Sequence, residues 1–139
     1  MFSTAVALLG EALYRLGRMD DALAAADASA EATAEDDVAS QMAWRGVRAK
    51  VLAAAGELPE AEGLAREGVS YADRSDLLNM AGDAHFDLGV VLEAADRHVE
   101  AAAQFEAAAG LYSRKGNAMS IARARRASPS IHTGAGAGA

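Results

Sequence analysis

Few side chains in this sequence have the types and spacing that catalysis or metal binding requires. The 139 residues include no cysteine, which excludes a disulfide scaffold, a thiolate zinc site and a cysteine nucleophile. The three histidines, His85, His98 and His132, are too widely spaced to form a metal-binding pair on one helix. No Gly-x-Ser-x-Gly nucleophile turn is present. The sequence therefore predicts a protein that is not an enzyme and that has no cofactor and no metal ion.

One pair of carboxylates does have helical spacing. Asp83 and Asp87 are four residues apart, so they share a helix face, while His85 between them points elsewhere. Such a pair could bind a divalent cation, but a solvated acidic face explains the same spacing and is the preferred interpretation. A helical enzyme that works with carboxylates alone is the last-ranked hypothesis.

The composition favours helices throughout the chain. Alanine, leucine, glutamate and arginine are abundant, and there are only two prolines. Acidic or basic residues interrupt every alanine-rich stretch, so no apolar run reaches the ~20 residues that a membrane span needs. The first residues lack the basic flank and apolar core of a secretory signal. We therefore expect an all-α, cytoplasmic protein that does not insert into membranes.

The charges are unevenly distributed along the chain. The net charge is −7, yet residues 111–139 contain five basic side chains and no acidic one. An acidic body repels phosphate backbones, so a general nucleic-acid binder is not expected. The basic residues could still contact nucleic acid, but they also suit the C-terminal ends of helices, where the macrodipole favours positive charge. The second explanation is preferred.

A repeat organises the chain. Residues 13–22, 52–61 and 92–101 resemble one another at offsets of 39 and 40, and each block ends one helix, turns and begins the next. Small residues recur near these turns and should let paired helices approach closely; they are Gly10, Ala22, Ala61, Gly89 and Ala101. The sequence thus predicts three copies of a helix–turn–helix unit, at about 3–35, 37–74 and 76–115.

The expected helices cover about 3–16, 19–34, 37–55, 58–73, 76–94, 97–113 and 117–127. Residues 1–127 then form one repeat domain, in which 117–127 is an extra helix. Residues 128–139 alternate glycine and alanine towards their end and offer nothing to bury, so we expect a flexible tail.

The spacing inside the units resembles the tetratricopeptide pattern. Leu9-Gly10 and Gly17 match its small pair and turn in the first copy, and Ala101 with Phe105 matches its second helix in the third copy. The sequence departs from the pattern where Asp96 replaces the turn glycine. The resemblance implies an α-α superhelix of three helix hairpins and one C-terminal helix.

Longer runs at residues 11–18, 36–41, 44–53 and 112–117 resemble the C-terminal tetratricopeptide-like region of bacterial regulators that carry adenylate/guanylate cyclase and ATPase domains. The resemblance covers about residues 3–127. It implies a non-catalytic scaffold for protein–protein interaction and regulation in signal transduction, as a segment or relative of such a regulator. Similar arrays occur in ATP-dependent LuxR-type regulators, so the alternative is a helical part of a transcription regulator that acts next to DNA.

A helical array usually binds its partner on the concave surface, which the first helix of each pair lines. The charged and aromatic residues at these positions suit a protein or peptide partner, although the aromatic ones could instead fill gaps between helices. The predicted partner-binding residues are Glu11, Tyr14, Arg15, Lys50, Asp83, Phe86, Val90 and Glu93.

Overall fold

The computed structural model of the chain describes residues 2–128 and shows seven helices there and no strand. The all-α prediction is therefore confirmed for this part of the chain. The predicted tail lies outside it, apart from Ser128. The helices are Phe2–Arg15 (α1), Met19–Ala32 (α2), Val38–Ala54 (α3), Leu58–Ala72 (α4), Leu78–Ala94 (α5), His98–Lys115 (α6) and Ala118–Ala127 (α7).

The helices pack in chain order. Each helix contacts the next one along the chain, and α3 also contacts α1 and α5. Helices α1–α2, α3–α4 and α5–α6 are thus three consecutive hairpins, with α7 packed against α6. The central helix α3 buries residues on more than one face, which include Met42, Val47 and Ala49. The first helices of the hairpins lie side by side, so residues from α1, α3 and α5 can meet.

The turns inside the hairpins share one backbone conformation. Gly17, Gly56 and Asp96 occupy equivalent places in the three copies and have φ angles of 78°, 85° and 59°. Glycine adopts this left-handed conformation without steric cost, and aspartate is among the side chains that tolerate it best. Asp96 therefore replaces the turn glycine in sequence while it keeps the same turn in the structure.

In two of the three turns that follow a hairpin, a side chain caps the next helix. Asp37 Oδ1 accepts a hydrogen bond from the Ser40 N–H at 3.1 Å, and Asn117 Oδ1 accepts one from the Ser120 N–H at 3.2 Å. The sequence predicts that α5 begins at about residue 76, which is two residues too early. There the Ser75 hydroxyl accepts a hydrogen bond from the Leu77 N–H at 3.0 Å, and the helix begins only at Leu78.

Small residues set the distance between the helices of each hairpin. Ala22, Ala61 and Ala101 are each 0% exposed in the second helices. A Cβ atom at Gly89 would lie 2.6 Å from Cε1 of Phe105, so the ring of α6 packs directly on the backbone of α5. The predicted close approach at these positions is confirmed.

Candidate functional site

A groove runs across the first helices of the hairpins. It encloses about 490 Å³ of empty space, counting space open to solvent, and α1, α3, α5 and α7 line it. Its larger apolar side chains are Leu8, Met42, Val47 and Met80. Its charged side chains are Glu11, Arg15, Asp83, Asp87 and Arg123. The groove therefore combines an apolar surface with charges of both signs.

Glu11 and Asp87 of the groove meet a third charged side chain, the buried Lys50, and each of the three comes from a different hairpin. The Nζ atom of Lys50 in α3 donates to Glu11 Oε2 of α1 at 2.5 Å and lies 3.0 Å from Asp87 Oδ1 of α5. The same Nζ lies 4.8 Å from the centre of the Tyr14 ring, at cation–π distance. We call Glu11, Lys50 and Asp87 the charged triad. It links the first helices of all three hairpins.

The triad is largely shielded from water. The side chain of Lys50 is 3% exposed, that of Asp87 is 13% exposed and that of Glu11 is 25% exposed. The backbone of α3 makes room for it at Gly46, where an added Cβ would overlap Asp87 Oδ2. Glycine at this position therefore allows the Asp87 carboxylate to reach Lys50.

Burial and neighbouring charges shift the pKa values of the triad. Burial raises the pKa of the Asp87 carboxyl from 3.8 to about 6, because the loss of water outweighs the attraction of Lys50 and because Glu11 adds a like charge. Burial also opposes ionisation of Glu11, yet Lys50 and Arg15 hold its pKa below the usual value. For Lys50, burial is outweighed by the two carboxylates, which raise its pKa.

The raised pKa of Asp87 makes stability depend on pH in a particular direction. Between about pH 4 and pH 6 the folded chain binds a proton at Asp87 that the unfolded chain does not, so this group stabilises the fold as the pH falls. On acidification from pH 7 to 4.5, we expect the free energy of unfolding of the wild type to rise by about 1–2 kcal/mol relative to Asp87→Asn. Urea unfolding of both proteins at both pH values measures the difference. If the free energy of unfolding changes equally with pH in the wild type and in Asp87→Asn, the raised pKa does not belong to Asp87.

A second polar cluster joins α5, α6 and α7 at the end of the groove. The hydroxyl of Tyr112 donates to Asp83 Oδ1 at 2.5 Å, and Nη2 of Arg123 donates to the same oxygen at 3.3 Å. The Arg123 guanidinium also lies 4.3 Å from the centre of the Phe86 ring. Burial and the charge of Asp83 raise the pKa of Tyr112 above its usual value, which keeps the phenol protonated. This cluster fixes α7 in position.

The solvated acidic face predicted for Asp83 and Asp87 is wrong for Asp87, whose side chain is 13% exposed, whereas the Asp83 side chain is 53% exposed. Asp87 is buried in the charged triad, and Asp83 binds Tyr112 and Arg123. The physical reason is that Lys50 and Arg123, which are distant in sequence, supply donors to this helix face. Within residues 2–128, no group of three or more histidine, cysteine or acidic side chains is arranged to hold a metal ion.

The predicted partner-binding residues fall into two sets. Glu11, Arg15 and Asp83 line the groove. The others make contacts inside the molecule. Lys50 is buried, Tyr14 packs against the core between α1, α2 and α3, and Val90 packs against the core formed by α3 to α6. Phe86 packs on Phe105 with ring centres 5.2 Å apart, and Glu93 Oε1 lies 2.8 Å from His98 Nδ1.

No model of a known protein family matches the chain, and comparison with curated proteins finds no similar sequence. Among the described residues, no helix combines the length and hydropathy needed to cross a bilayer. The groove and the residues around it are thus the features on which a functional proposal rests.

The sequence did not identify most of the groove residues, and three of these have large side chains of particular interest. Met42, Met80 and Arg123 all line the groove, Arg123 from the extra helix. The repeat alignment pointed only to one helix of each hairpin, so it assigned α7 no role on this surface. A sequence signal did exist for Asp87, because Lys50 lies between Val47 and Val51 on a face of α3 that is expected to be buried and therefore needs a counter-charge.

Proposed function

We propose that this protein is a non-catalytic interaction module of tetratricopeptide-like stacked hairpins, which binds a protein segment in the groove. The observation that carries the proposal is that one helix from each of the three hairpins, together with α7, lines a single groove with mixed apolar and charged walls. Grooves of this kind suit helices or extended peptides that present regularly spaced side chains.

The partner segment presents one apolar and one acidic side chain. Leu8 is 60% exposed on the α1 side of the groove, and Met80 faces it from α5, so an apolar side chain fits between them. The Arg15 side chain is 56% exposed and, within residues 2–128, is paired only with Glu11 on its own helix, so its guanidinium is accessible to a partner carboxylate. Lys50 plays no direct part, since its amine is held in the charged triad.

Charge reversal at the groove tests the proposal. A peptide-display selection against the whole chain yields binding segments, and calorimetry measures their Kd. We expect Arg15→Glu to weaken binding by at least ~10-fold, because it removes a partner for the acidic side chain and adds a like charge. The matched control is Arg66→Glu, since Arg66 also forms an i,i+4 pair, with Glu62, and is 49% exposed on α4.

Two results would contradict the proposal. One is a selection that enriches no peptide. The other is a set of selected peptides whose affinities fall equally in Arg15→Glu and Arg66→Glu, because the binding surface would then lie outside the groove.

We further propose that the module belongs to a signalling regulator of the cyclase and ATPase type, which rests on the sequence resemblance at residues 11–18, 36–41, 44–53 and 112–117. A cyclase or ATPase domain encoded in frame with this chain would support that parentage. The absence of such a domain from close homologues of this chain would argue against it.

The placement of the basic residues favours this function over a role next to DNA. Arg114 and Lys115 lie in the last turn of α6, and Arg125 and Arg126 lie in the last turn of α7, where the helix macrodipole favours positive charge. Arg123 is directed inward to Asp83 and Phe86. A salt-titrated DNA-binding measurement distinguishes the alternatives, since a DNA-associated LuxR-type part would bind at low salt.

A further inference from the structure

An uncovered apolar seam runs along the outer face of α1 and continues to Leu16 in the turn that follows it. Phe2, Leu9 and Leu16 follow one another at seven-residue spacing and are 70%, 55% and 73% exposed. Ala5 and Ala12 lie between them on the same face and are exposed as well. We call these five residues the α1 seam. Large side chains at one heptad position and alanine at the other are typical of a surface that packs against another helix.

The residues of α5 that are equivalent to the α1 seam are buried. The third turn, at Asp96, lies 79 residues after the first turn, at Gly17, and the same offset carries the first four positions of the α1 seam onto α5. The residues found there are Ala81, Ala84, Leu88 and Val91, which are 4%, 5%, 1% and 1% exposed. They pack against α3 and α4 of the preceding hairpin. The α1 seam is therefore the kind of surface that this fold covers with helices.

We infer that the α1 seam is the interface of a homodimer, in which the α1 helices of two copies pack antiparallel about a two-fold axis. Antiparallel pairing sets one heptad position against the other, so large residues face small ones. Leu9 of one copy then lies opposite Ala12 of its partner copy, and Leu16 lies opposite Ala5. The alternative register sets Leu9 opposite Ala5 and Phe2 opposite Ala12 and leaves Leu16 uncovered, whereas the proposed register leaves Phe2 uncovered.

Two features of the chain favour a second copy as the occupant. The α1 seam contains no charged residue, so two copies meet without like-charge repulsion, and its alternation of large and small residues is self-complementary. The other end of the hairpin stack is covered by α7, where Ala124 is 0% exposed and Arg125 and Arg126 face outward. That basic end does not offer a complementary apolar seam, which disfavours head-to-tail growth.

Sedimentation equilibrium of the whole chain tests the inference. At a concentration on the order of 100 μM we expect a dimer, and Leu9→Glu should raise the dimer Kd by at least ~30-fold because it buries a carboxylate against alanine. The control is Val99→Glu, since Val99 is 84% exposed on α6, away from the α1 seam. A monomer at this concentration, or equal losses in both variants, would overturn the inference.

Cysteine crosslinking tests the antiparallel register. The natural chain has no cysteine, so an introduced one reports only its own contacts. An equimolar mixture of Leu9→Cys and Ala12→Cys chains should form mixed disulfides under mild oxidation, because these positions face each other across the axis. A mixture of Leu9→Cys and Val99→Cys chains is the control. Equal crosslinking in the two mixtures would contradict the proposed interface. This result does not depend on whether a peptide binds in the groove.

Discussion

Replacement of Lys50 by methionine is expected to lower the free energy of unfolding by about 3–5 kcal/mol. The methionine fills a similar volume, but the ammonium that Glu11 and Asp87 share is lost. The largely buried Asp87 carboxylate then loses its counter-charge, and Glu11 retains Arg15 as its partner. A single domain has only about 5–15 kcal/mol of stability, so the variant should be close to unfolding. Urea unfolding followed by helical circular dichroism measures the change.

The matched control for this experiment is Arg66→Met. Arg66 also pairs with an acidic residue, Glu62, but its side chain is 49% exposed, so its loss should change stability by no more than about 1 kcal/mol. Adding Glu11→Gln and Asp87→Asn to Lys50→Met should restore part of the stability, because no buried charge then remains at this point. Equal effects of the Lys50 and Arg66 substitutions would refute the structural role of the charged triad.

Replacement of Gly89 by valine is expected to lower the free energy of unfolding by about 3 kcal/mol, at the upper end of the cost of overpacking. Three atoms of the Phe105 ring lie 2.6–2.9 Å from the position that a Cβ would take. The ring is 2% exposed and is surrounded by core residues, so it cannot move aside without opening the contact between α5 and α6. Chemical unfolding again provides the measurement.

Gly63→Val is the control for this second prediction. Gly63 lies within α4, and no atom lies within 4 Å of the Cβ position there. Glycine and valine differ only slightly in helix propensity, so the change in stability should stay within about 0.5 kcal/mol. If Gly63→Val and Gly89→Val are equally destabilising, the cost comes from the helix backbone and the packing argument fails.

The helices and turns were predictable because they depend on local chemistry. Ala22, Ala61 and Ala101 recur at the repeat period and are fully buried, and the turn residues Gly17 and Gly56 have the left-handed backbone that the repeat requires. Boundaries were less predictable. The start of α5 depends on the hydrogen bond between the Ser75 hydroxyl and the Leu77 N–H, which competes with helix formation.

The arrangement of charges was not predictable from the repeat. Lys50 lies at the repeat equivalent of Glu11, but Asp87 lies 37 residues after Lys50 and so is offset from the period of 39 or 40. Whether its carboxylate points to solvent or to Lys50 depends on the absence of a side chain at Gly46 in the neighbouring helix. Spacing along one helix contains no information about that contact, so the sequence does not predict that Asp87 is shielded from water.

The charged triad also has a consequence for how the chain loses its structure. Stacked repeats couple mainly to their nearest neighbours and can fray from either terminus. Here one ammonium in the middle hairpin is shared by carboxylates of the first and the last. If either outer hairpin detaches, the Lys50 ammonium keeps one carboxylate partner, and the contact that it made with the other carboxylate becomes exposed to water. The two ends of the molecule are therefore energetically connected, which favours cooperative unfolding over stepwise peeling.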